Sequence, residues 1–137
     1  MINRQKIILS TISYLVITMS VAYPWHMIWF HELYLGMGAY TRSEPSIPMG
    51  MLAMITQGMV IAYLYPFYYK GGSPIIQGIK FSLLMGTIVY SVMGFAMAAK
   101  IDINPISTFL LYSVIFQLFQ CVLTGVALGL IYGKVTQ

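Results

Sequence analysis

Charged residues are what this sequence most lacks. Asp, Glu, Lys and Arg make up 7% of its 137 residues, where an ordinary soluble domain carries about 25%. So few charges cannot cover a water-solvated surface, which excludes a soluble globular fold. Cysteine is nearly absent too. The single Cys121 excludes an intramolecular disulfide and any CxxC pair, and it leaves the redox compartment open. Asp102 is the only aspartate among three acids, so neither a Ser-His-Asp arrangement nor paired carboxylates on one helix can be assembled. There is no glycine-rich phosphate loop. We therefore expect no enzymatic activity and no dedicated cofactor.

What the chain has in abundance is apolar surface: 59% of residues are hydrophobic and the mean hydropathy is +0.82. A membrane-spanning helix needs about 20 apolar residues. The chain therefore has room for four or five crossings with short loops, and none for a soluble domain. Four runs stand out, at about 6–30, 47–69, 74–99 and 105–132. Ile7 to Trp25 holds no charge, and its rise of about 28 Å matches the hydrocarbon thickness. Lys80 is the one charge in the third run, near its start, where it can snorkel to the headgroups. Ser73-Pro74 and Asn104-Pro105 each place a capping residue before proline, Ser46-Ile47-Pro48 nearly does, and Gly71-Gly72 turns the chain after the second run. The expected architecture is all-α: one four-helix, up-down transmembrane bundle over 1–137.

Arg4 and Lys6 before an apolar run, then Ser20-Val21-Ala22, also have the form of a cleavable signal; the segment is expected to be a retained anchor. With four spans, Arg4, Lys6, Lys70, Lys80 and Lys134 share one side. The other side holds Arg42, Lys100 and all three acids, Glu32, Glu44 and Asp102. The positive-inside rule then puts both termini in the cytoplasm of a multi-pass cell-membrane protein. Tyr63, Tyr65, Phe67, Tyr68 and Tyr69 are expected as a cytoplasmic aromatic belt, with Tyr23, Trp25, Trp29 and Tyr34 as the outer one. The net charge of +4 is spread over loops, where anionic lipid accounts for it without a nucleic-acid partner.

Helices in lipid associate through small residues and hydrogen bonds, since lipid tails are as apolar as leucine. In the first helix Ser10, Ser13, Ser20 and Pro24 form one stripe, and Thr11, Tyr14, Thr18 and Ala22 its neighbour. In the fourth, Ser113, Gln117, Gln120, Thr124 and Ala127 recur at 4, 3, 4 and 3, and the two polar faces are expected to meet. Gly125, Gly129 and Gly133 form a GxxxGxxxG ridge, and the third helix offers Gly86 and Gly94 in a similar groove. These are candidate packing faces, either within the chain or toward a second subunit. Eleven methionines suit adaptable packing. Helices two and four share a loose repeat, small residues running into a tyrosine-bearing end, too loose for an inverted-repeat transporter.

Chemistry concentrates in Pro24 to Tyr34, which holds both histidines, both tryptophans and Glu32. If the first helix continues through Pro24, His31 extends the serine stripe inward. His26 then sits about 140° away, because five residues turn about 500°. His-x4-His lacks the i, i+4 spacing of a helical zinc pair, and haem ligation by two histidines ordinarily draws them from two helices. Metal or haem held by His26 or His31 is thus an alternative only. Another is a small-solute or proton-linked transporter or sensor, with His31, Glu32, Ser20, Gln117 and Gln120 lining a polar interior. The plainer readings are an interfacial anchor for the histidine stretch and interhelical glue for Gln57, Gln117 and Gln120.

Trp25 to Tyr34, Lys70-Gly71-Gly72-Ser73-Pro74 and Tyr63 to Tyr69 together resemble small bacterial four-helix integral membrane proteins classed as domains of unknown function. The resemblance implies the fold and no activity, so no site residue follows from it. The expected role is a helical subunit or accessory protein, packing with itself or with other membrane subunits in lipid. In intact membranes, single cysteines placed at Glu44 and Lys70 in a Cys121→Ser background should label from opposite sides. Labelling from the same side would overturn the four-span topology.

Overall fold

The computed structural model describes residues 3–133; Lys134, counted above among the cytoplasmic basic residues, lies outside them. Four helices are long and apolar enough to cross a membrane: α1 Arg4–Trp29, α3 Ile47–Tyr68, α4 Pro74–Lys100 and α5 Ile106–Tyr132. A short α2, His31–Gly36, lies between the first two. Among the described residues the structure is helical with no strand. Caps follow the punctuation only in part. Asn3 accepts a hydrogen bond from the Lys6 amide at 3.2 Å. Ser46 and Ser73 stand at N-cap positions without a side-chain bond, and the cap of α5 is Pro105 rather than the expected Asn104.

Neighbours are set by close backbone approach and by polar contacts. α4 lies along α5, α5 against α1, and α1 against α3. α3 meets α4 at the turn joining them: Tyr65 donates to the Pro74 carbonyl at 2.9 Å, and Tyr65 and Tyr68 pack on Phe81. Gly71 and Gly72 carry φ of 118° and 87°, which only glycine adopts readily, so the chain reverses there. The first turn of α1 lies beside the last of α5, where the Lys6 ammonium donates to the Tyr132 carbonyl at 2.8 Å. Both ends of the described chain are therefore at one end of the bundle, here the terminal end.

Apolar packing forms two clusters. At the terminal end Tyr14, Ile61, Tyr65, Tyr69, Phe81, Leu128 and Tyr132 are buried together. At the far end Tyr34, Met37, Ile103 and Phe109 form the second core, with Trp25, Phe30 and Tyr112 against it. Both expected aromatic belts divide on this point. Tyr63 and Phe67 face outward, but Tyr65 and Tyr69 are 0% and 3% exposed; Tyr23 and Trp29 face outward, but Tyr34 is 2% exposed. Alternate helical positions cannot all face lipid, so half of each belt is core.

The glycine ridge is used inside the chain. A Cβ on Gly129 would lie 2.6 Å from Ile75 Cα and 2.7 Å from the Pro74 carbonyl oxygen; one on Gly125 would lie 2.6 Å from the Ile79 nitrogen. Gly86 fits against Cys121 and Gln117 in the same seam, whereas a Cβ on Gly94 would meet the ring of Tyr90 in its own helix. A Cβ on Gly133 would meet no neighbour within 4 Å; this residue instead ends α5 with φ 58°. Of the ridge, Gly125 and Gly129 pack helix on helix, and Gly133 is a cap. Gly129→Leu should therefore unseat α4 from α5 and lower stability by about 1–3 kcal/mol or more. Thermal unfolding in detergent reads this; an unchanged midpoint would refute the close approach.

Candidate functional site

Between the two apolar clusters lies a polar layer built from three helices. Tyr14 and Thr18 are one turn apart on the buried stripe of α1 that begins at Ser10. Gln57 sits on α3 and Gln120 on α5. The Tyr14 hydroxyl donates to Gln57 Oε1 at 2.7 Å. The Gln120 amide donates to Thr18 Oγ1 at 2.8 Å and to the Tyr14 oxygen at 3.2 Å. Gly58 makes room for this contact, since a Cβ there would stand 3.0 Å from the Tyr14 ring. One turn of α5 from Gln120, the Gln117 amide donates to Cys121 Sγ at 3.3 Å. Nearer the terminal end, the Tyr132 hydroxyl donates to the Ala62 carbonyl at 2.6 Å.

Beside this network is a cavity of about 10 Å³, walled by residues of all four long helices; Tyr14, Ser82, Gln117, Gln120, Cys121 and Thr124 are its polar members. That is room for about one water. Of the residues expected to line a polar interior, Gln117 and Gln120 are in its wall. Ser20 is exposed on the outside of α1, Glu32 is exposed, and His31 is half-buried against Tyr40. The structure does not bring these three to the glutamines. Sequence reading put Ser10 and Ser20 on one stripe and Tyr14 and Thr18 on its neighbour, but the buried stripe is Ser10, Tyr14 and Thr18, which takes members from both. The signal available was spacing four from Ser10, with tyrosine read as a polar, hydrogen-bonding residue.

The histidines depart from the straight-helix expectation for a local reason. Pro24 has no amide hydrogen to give the preceding turn, and from Pro24 to Trp29 the helix widens into π form. Phe30, at φ −122° and ψ 16°, then breaks it, and His31 starts α2. His26 is thereby turned inward, its ring 4.7 Å from Phe116 and 4.9 Å from Tyr34. His31 packs 5.6 Å from Tyr40, and Tyr34 and Tyr40 stack between the two at 5.7 Å. Trp25 Nε1 donates to the Tyr34 hydroxyl at 3.3 Å. The Tyr40 hydroxyl donates to the His26 carbonyl at 3.2 Å. Burial, with the nearby Tyr34 phenol adding to it, pushes the Tyr40 phenol up to about 12, so it remains a donor across the neutral range.

Among the described residues no group of three or more His, Cys, Asp and Glu side chains is placed to hold a metal ion. The metal alternative for His26 and His31 therefore lacks a third ligand. The two rings are spaced by tyrosines rather than turned on one point. No family model matches the chain, and no curated protein or solved structure does either.

Chemically, the polar layer can hold helices in register and exchange hydrogen-bond partners; it holds no charged group and no acid. Gln120→Leu, close in size but unable to bond, should leave Thr18 and Tyr14 short of a donor. It should cost about 0.6–1.7 kcal/mol, the range for hydrogen bonds between membrane helices. Reversible unfolding in mixed micelles checks this, and a variant as stable as the parent would make the network dispensable.

Proposed function

We propose that this chain is a non-enzymatic, multi-pass membrane subunit that docks in the bilayer against a neighbouring helix, its own copy's or that of a larger complex. The observation that carries the reading is the far-end half of α3. From Ile47 to Thr56 only Met51 and Met54 are even half-buried, with Ile47 69% and Met49 64% exposed. Exposure to lipid alone would not single out this stretch, because lipid solvates any apolar face equally well. Gly50 does. Beyond its chain neighbours and its own helix's backbone, no atom lies within 4 Å of where its Cβ would be, and it leaves the first turn of α3 without a side chain at that point. Such a residue suits a surface that another backbone approaches.

The ridge at Gly125 and Gly129 is not the docking face in this reading, because α4 already covers it. Orientation follows the basic residues. Arg4, Lys6, Lys70 and Lys80 lie at the terminal end and Arg42 and Lys100 toward the other, so the terminal end faces the cytoplasm. Lipid is the surrounding ligand. Passage of solute through the bundle has less support, because the cavity is about 10 Å³.

Gly50→Leu should preserve helicity and the unfolding midpoint. It should weaken self-association in bilayers, or retention of copurifying membrane subunits, by about tenfold, the effect of 1–2 kcal/mol of lost packing. Dilution-dependent energy transfer between labelled copies, with quantitation of what copurifies, measures both. An unchanged assembly would remove the proposal.

A further inference from the structure

Threonines inside these helices have an easy partner. Thr11, Thr56 and Thr87 each donate to the carbonyl four residues back, at 2.8 to 2.9 Å. Thr124 stands in the same helical setting on α5, 3% exposed, yet its hydroxyl has no hydrogen-bond partner in the protein. It is also part of the wall of the mid-bundle cavity. The amide nitrogens of the two glutamines in that wall are committed, Gln120 to Thr18 and Tyr14, Gln117 to Cys121. Their carbonyl ends remain as acceptors for a guest. The walls hold a hydroxyl donor, amide acceptors and no charged side chain. A lipid tail satisfies none of these groups, and a cation finds no counter-charge. The volume of about 10 Å³ sets the size at one heavy atom.

We infer that the cavity is a built hydration site, in which one water is held deep between the helices by Thr124 and the glutamine carbonyls. The water accepts from or donates to Thr124 Oγ1 and donates onward to an amide oxygen, meeting the requirement of two to four polar partners for a buried water. It completes the polar layer at Thr124, where protein groups do not complete it. This goes beyond the docking role and does not depend on it.

Cys121, the only cysteine in the chain, lies in the same wall and reports on the site without a label. In D2O its thiol exchanges one hydrogen for deuterium, S–H and D2O giving S–D and HDO, with no change of oxidation state. The infrared S–H band of the full chain in nanodiscs belongs to this residue alone. It should vanish within minutes, while the backbone amides of α4 and α5 stay protonated for hours. Thr124→Val keeps the shape and removes the hydroxyl; it should slow thiol exchange about tenfold, the equivalent of one hydrogen bond. Thr124→Ser should exchange at the parent rate. A parent S–H band as long-lived as the surrounding amides would overturn the inference. So would a folded Thr124→Val variant exchanging as fast as the parent. Should the valine variant fail to fold, the parent time course and the serine variant decide.

Discussion

In hydrocarbon a polar group has no water to fall back on, and a helix has already used its backbone donors and acceptors within itself. A polar side chain buried between these helices therefore gains most from a partner on another helix. That constraint organises the middle of this bundle. Gln120 on α5 reaches Thr18 and Tyr14 on α1, and Tyr14 in turn reaches Gln57 on α3. Three helices are held in one register by four side chains. A slip of any one of these helices by a turn would break at least one of these bonds.

The remaining helix is held differently. α4 joins α5 by proximity: Gly78, Gly125 and Gly129 let backbone lie on backbone, and Gly86 admits Cys121 and Gln117. Packing of this kind depends on the absence of side chains, so it tolerates almost no substitution, whereas the polar layer tolerates exchange between groups that bond. The two modes meet at the mid-bundle cavity. There α4 contributes Ser82, and α5 contributes Gln117, Gln120, Cys121 and Thr124. A glycine seam on one side and a hydrogen-bonded layer on the other leave a gap of about one water between them.

At the far end the decisive residue is Pro24. Its missing donor allows the last turn of α1 to widen, so that His26 turns in toward Phe116 and Tyr34 and the chain can break at Phe30. α2 and the segment after it then fold back. Tyr34 and Met37 are buried against Ile103 and Phe109, and Tyr40 holds the His26 carbonyl. What sequence reading treats as an interfacial anchor is in part a lid of aromatic rings over the end of the bundle.

The sequence by itself determined the number of spans, their limits to within a few residues and the all-helical class. Each of these is a local sum: transfer of some twenty apolar side chains into lipid depends only on the run itself. Glycine and proline mark the ends by their own backbone limits. Gln117, Gln120 and Thr124 were legible as an inward stripe for the same reason, their spacing being a property of one helix. That the polar faces of α1 and α5 meet was expected and holds, through Gln120 on Tyr14 and Thr18; which residues of α1 turn inward was not legible. Ser20 and Thr18 are both small and polar, two positions apart, and only the placement of α5 beside α1 buries Thr18 and leaves Ser20 outside. Likewise GxxxG marks a close approach without naming the partner, and the fold decides that α4 fills it. The direction of His26 and His31 rests on a widened turn whose geometry depends on what packs beneath it. Pairing between helices is a competition among similar faces, and only the assembled bundle resolves it.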